Sequence, residues 1–180
     1  GDMLLTAGET TANSQVGGLV QITAGLGSST TAGHGGHIAV MGGEGSGATG
    51  GSISLSSGYS TPKSSGSVLL KSVDAGISGV SGSLTFQSGT TSNGASGSIM
   101  IQTGAATNGR GGDIALSVGK SKTDTGGDII FEAGDSEPLT GGAISLSTGE
   151  GTASTSGLIV VKSVDAGTLG VSGSLQFTSG

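Results

Sequence analysis

Three consecutive stretches, Gly112–Gly119 (GDIALSVG), Gly127–Gly134 (GDIIFEAG) and Gly142–Gly149 (GAISLSTG), decide how the chain reads. Each places two apolar residues two positions apart, begins on Gly and closes on Gly. Residues two apart share one face of an extended chain, so each phrase predicts a short strand with one apolar face. Twelve copies recur at a spacing of about 15 residues, and a fixed period of this kind marks a repeat architecture.

The first apolar position is held by Met3, Val20, Ile38, Ile53, Val68, Leu84, Ile99, Ile114, Ile129, Ile144, Ile159 and Leu175. The second is held by Leu5, Ile22, Val40, Leu55, Leu70, Phe86, Ile101, Leu116, Phe131, Leu146, Val161 and Phe177. Both favour the residue types of a half-buried pleated surface. The intervening segments are polar, as in Lys120 to Thr125, and Gly pairs such as Gly111-Gly112 and Gly126-Gly127 mark where the chain turns.

The residue between the two apolar positions points to the opposite face. In odd-numbered copies it is Leu4, Ala39, Leu69, Met100, Ile130 or Val160, and all six are apolar. In even-numbered copies it is Gln21, Ser54, Thr85, Ala115, Ser145 or Gln176, and five of these six are polar. Odd and even copies therefore meet different surroundings. The pattern predicts an all-β fold, a parallel β-solenoid (β-helix) of twelve short strands, with two strands per ~30-residue turn and two sheets enclosing a thin core. A long antiparallel meander would alternate in the same way. The odd row, Leu4, Ala39, Leu69, Met100, Ile130 and Val160, is then an outward apolar stripe and the candidate assembly surface.

A longer period lies above these. Ser65 to Gly89 (SGSVLLKSVDAGISGVSGSLTFQSG) returns as Ser156 to Gly180 (SGLIVVKSVDAGTLGVSGSLQFTSG). The chain divides into two six-strand super-repeats, 1–89 and 90–180, forming one continuous solenoid. It does not begin with Met, and it reads as a piece of a longer polypeptide.

Composition narrows the function. Of 180 residues 40 are Gly, and there is no Cys or Trp. Unperiodic Gly and Ser would suggest a linker, but here the spacing is regular. The formal net charge is -6 with six Lys or Arg, which leaves no basic face for nucleic acid. Apolar runs reach only four or five residues, as from Leu158 to Val161, so no membrane-spanning helix is expected. No cofactor motif is present: no Gly-Lys-Ser/Thr phosphate loop and no Gly-Gly-x-Gly-x-Asp calcium repeat.

The charged residues form no convincing site. His34 and His37 are too few to hold a metal and read as loop residues. Asp113 and Asp128 fall on opposite sheets and read as strand-start polar residues. Asp74 and Asp165 lie in repeated Val-Asp-Ala-Gly turns, where a side-chain-to-backbone bond is expected. Arg110 is the only Arg and the acidic residues are dispersed, so a polysaccharide-cleaving groove is not expected. The chain reads as a non-enzyme.

The phrases Gly-Gly-Asp-Ile, Ser-Val-Asp-Ala-Gly and Gly-Val-Ser-Gly-Ser-Leu resemble long Gly/Ser-rich β-solenoid repeat proteins of marine microalgae, of the diatom and stramenopile type. More distantly, the pattern is similar to filamentous-haemagglutinin-type surface solenoids. The resemblance spans the chain and implies an extracellular or cell-surface protein with a structural or adhesive role. It offers no catalytic residues to carry over.

Two functions follow as expectations. The first is a structural extracellular filament or adhesive module, assembling through stacked strands and the apolar stripe, with other copies or neighbouring segments as partners. The second is a ligand-binding solenoid contacting polysaccharide or ice through its polar sheet, with Ser52, Ser54, Ser56, Ser83, Thr85, Ser145 and Ser147 outward. Gln87, Asp113, Ala115 and Gln176 interrupt those rows, and Tyr59 is the only Tyr for stacking on a sugar.

Overall fold

The structure is a computed structural model that describes residues 1–179. Gly180, the closing residue of the second super-repeat, lies outside the described residues. The 15-residue period is present, but in bends rather than strands. Eleven three-residue bends, at 12–14, 30–32, 46–48, 61–63, 77–79, 92–94, 107–109, 122–124, 137–139, 152–154 and 168–170, separate twelve segments without helix or strand. Each of the twelve apolar phrases occupies one such segment. Within the second, Gln21 Nε2 donates to Thr23 Oγ1 at 3.1 Å, a contact between side chains two residues apart, as on one side of an extended chain.

Among the described residues there is no helix and no β-strand. The expected parallel β-solenoid, with twelve strands in two sheets, is therefore corrected: the segments form no hydrogen-bonded ladder. Alternation at a period of two specifies a locally extended backbone and its two faces. It does not specify which segment pairs with which, or in what register, and Gly-rich segments specify register weakly. Two apolar side chains per repeat also supply little burial against the entropy of ordering about 15 residues.

What holds the bends is local. Six are closed at the neck by one backbone bond between glycines. Gly18, Gly36, Gly51, Gly66, Gly142 and Gly157 donate to the carbonyls of Gly8, Gly25, Gly43, Gly58, Gly134 and Gly149, at 2.8–3.0 Å. Each pair joins the Gly closing one phrase to a Gly opening the next. At Gly18 the approach is so close that a Cβ would lie 2.9 Å from Gly8 N and 3.1 Å from Ala7 Cβ. Ala7, Ala24 and Ala133 precede closing glycines and are half-buried there, among the few residues not fully exposed.

The bends are also stitched from inside. Backbone N–H groups of Ala12, Thr31, Lys63, Asn93, Asp124 and Leu139 donate to the hydroxyls of Thr10, Ser29, Ser60, Thr91, Ser121 and Ser136, at 3.0–3.4 Å. A hydroxyl two or three residues earlier in the chain thus takes a donor that has no ladder partner. The first bend adds a backbone turn, Gln15 N to Ala12 O at 3.4 Å, with Ser14 in the left-handed region at φ 60.

The chain forms two units, Gly1–Gln87 and Ser88–Gly180. In the first, four of five bends have closed necks, and only 77–79 does not. In the second, only 137–139 and 152–154 are closed among the described residues. Among the described residues neither unit has a core. No residue among those described is buried, and the chain exposes 17960 Å². A compact chain of this mass would expose about 7,700 Å² and a fully unfolded one about 24,000 Å².

Candidate functional site

The candidate stripe residues all face solvent. Leu4 is 89% exposed, and Leu69, Met100, Ile130 and Val160 are between 66% and 77%. Ala39 is exposed as well. The row is not unique in this, because the second apolar position is also open, with Phe86, Phe131 and Phe177 at 66%, 69% and 86%. The first position is the most sheltered. Apart from Met3 its residues run from 46% to 60%. The surface available for contact is therefore wider than the stripe and includes all three phenylalanines. Sequence alternation placed first and second positions on one equivalent face, so it gave no signal of this difference.

Electrostatic features are local. Arg110 Nη2 donates to Asp113 Oδ1 at 2.6 Å, with both side chains mostly exposed. A surface pair of this kind stabilises by at most about 1 kcal/mol. It joins the 107–109 bend to the following segment and occupies Asp113, which the sequence marked only as a strand-start residue. No other ion pair occurs among the described residues.

The Val-Asp-Ala-Gly turns differ from expectation. Neither Asp74 nor Asp165 makes a side-chain hydrogen bond among the described residues. Instead Ala166 N donates to Ser172 Oγ at 3.0 Å, so a serine six residues downstream ties the second turn. The aspartate that does bond its own turn is Asp124, whose Oδ1 accepts from Thr125 N at 2.7 Å. Asp followed by Thr in a polar connector was the available signal for it.

Among the described residues there is no pocket, and no three His, Cys, Asp or Glu side chains are grouped to hold a metal. His34 and His37 are both exposed, on either side of Gly35 and Gly36. Among the described residues no helix is long and apolar enough to cross a membrane. The chemistry on offer is contact chemistry: open apolar rows, hydroxyl-rich bends and a sparse acidic surface. No protein-family model, curated protein or solved structure matches the chain.

Proposed function

We propose that the chain is a structural repeat module of a filament or adhesive, and that it works by association of its exposed apolar residues with other copies or with neighbouring repeat segments. The observation that carries this reading is the exposure of its apolar residues. Every large hydrophobic side chain among the described residues is open to solvent and none is buried. The exposed area is more than twice the roughly 7,700 Å² of a compact chain of equal mass. Large apolar side chains left open in every repeat mark a contact surface.

A second copy is the partner that fits, because it carries the same apolar phrases at the same interval. Covering even a fifth of the exposed area would exceed the roughly 1,600 Å² that a stable interface buries. Leu4, Ala39, Leu69, Met100, Ile130 and Val160 are among these exposed residues. We place the protein outside the cell or on its surface, in keeping with its resemblance to Gly/Ser-rich surface repeats, and assign it no catalysis.

The test is sedimentation of the purified chain over a wide concentration range, with electron microscopy of the same samples. Growth into large species or filaments supports the reading, as does its suppression by Ile130→Lys, which sets a charge in the stripe. A chain that stays monomeric throughout would overturn it. Labelling of intact cells with an antibody against the chain tests the location, and signal only after permeabilisation would refute it.

A further inference from the structure

Two bends of the second unit carry the same dipeptide at the same place. Asn93-Gly94 lies in the bend at 92–94 and Asn108-Gly109 in the bend at 107–109, each four residues beyond a closing glycine, Gly89 or Gly104. The chain has one other asparagine, Asn13, and it is followed by Ser14.

Both bends are open. All three asparagines are exposed. Neither Asn93 nor Asn108 makes a side-chain hydrogen bond among the described residues, and the backbone nitrogens of Gly94 and Gly109 donate to no described acceptor. A Cβ at Gly94 or Gly109 would meet nothing within 4 Å. Both necks lack the glycine–glycine bond that closes six other bends. Gly94 has φ +124, a backbone conformation that favours glycine. By contrast Asn13 lies in a bend whose neck is closed by Gly18 and Gly8 and whose turn is held by Gln15 N on Ala12 O. Residue 14 is Ser rather than Gly, so its Cβ flanks the nitrogen that would attack.

We infer that Asn93-Gly94 and Asn108-Gly109 are paired sites of spontaneous covalent modification, in which asparagine converts to aspartate and isoaspartate with water as co-substrate. Hydroxide removes the proton of the glycine N–H, and the nitrogen attacks the asparagine Cγ. A bond forms between that nitrogen and Cγ, the bond from Cγ to the amide nitrogen breaks, and ammonia leaves. Water then opens the resulting five-membered imide. Opening at the side-chain carbonyl yields aspartate, and opening at the main-chain carbonyl yields isoaspartate. The sum is one water consumed and one ammonia released, with no change of oxidation state. An unshielded, unbonded glycine nitrogen beside a free asparagine side chain is what the attack requires. Both bends supply it, one repeat apart. Conversion at both sites adds two carboxylates and takes the formal charge from -6 to -8. Isoaspartate also inserts a methylene into the main chain at the bend.

The test is incubation of the intact chain in mildly alkaline buffer, followed by peptide mapping with mass spectrometry and enzymatic methyl-ester labelling of isoaspartate. Conversion at Asn93 and Asn108 should outrun that at Asn13 by roughly tenfold or more, a barrier difference of about 1.4 kcal/mol. Gly94→Ala should slow conversion at Asn93 and leave Asn108 unchanged, and Gly109→Ala should do the reverse. Equal rates at the three asparagines would overturn the inference. So would alanine variants that convert as fast as the parent chain.

Discussion

At the scale of single residues, glycine, serine and threonine hold the structure, and the apolar residues do not. Gly18 shows why glycine is needed at a neck. Its N–H closes the bend on Gly8 O at 2.8 Å, and a Cβ there would meet backbone inside van der Waals distance. Gly18→Val should therefore open the first neck and bring the amide of residue 18 to the exchange rate of an unbonded amide, read by hydrogen exchange. Ser121→Ala removes the acceptor of Asp124 N and should cost the bend about 1 kcal/mol, seen as faster exchange at Asp124 alone. Ser14 sits at φ 60, a conformation that costs a side-chain-bearing residue roughly 1–2 kcal/mol. Ser14→Gly should relieve part of that and slow exchange at Gln15, whose N–H closes the turn.

At the scale of elements, the unit of construction is the apolar segment plus its bend. Necks are closed in four of the five bends of the first unit and in two of the six of the second among the described residues. Amide exchange should divide the same way. The N–H groups of Gly36, Gly51, Gly66, Gly142 and Gly157 should exchange more slowly than those of Gly97, Gly112 and Gly127, whose necks carry no such bond. Uniform exchange across both sets would contradict the closed and open classes. The bends themselves were legible from the polar connectors, such as Lys120 to Thr125 around 122–124, and their Ser and Thr content supplied the acceptors, whereas the Gly pairs Gly111-Gly112 and Gly126-Gly127, read as the turning points, begin two residues beyond the bends. Which necks would close was not legible, because Gly89 and Gly97 look in sequence like Gly58 and Gly66.

At the scale of the whole molecule, exposure governs behaviour. Unfolding a chain that already exposes 17960 Å² uncovers about 6,000 Å², against about 16,000 Å² for a compact chain of the same mass. The denaturant m-value scales with that change, so the dissociated chain should show less than half the m-value of an ordinary domain of its size. Urea titration followed by circular dichroism checks this. A steep, cooperative transition of the dilute chain would show a buried core and refute it.

Sequence alone determined the repeat, its 15-residue interval, the apolar rows, the polar bends and the near absence of basic charge. These are local properties, because alternation sets the faces of an extended segment and Gly, Ser and Thr set its bends. The stripe Leu4, Ala39, Leu69, Met100, Ile130 and Val160 could be read as apolar from the same alternation, but its share of the open surface could not. Only the tertiary structure decided that the segments make bends without a ladder, that Phe86, Phe131 and Phe177 stand as open as the stripe, and that some necks close. Pairing, register and burial depend on contacts between residues far apart in the chain. A period-two pattern carries no information on those contacts, and so it predicted sheets that the described residues do not form.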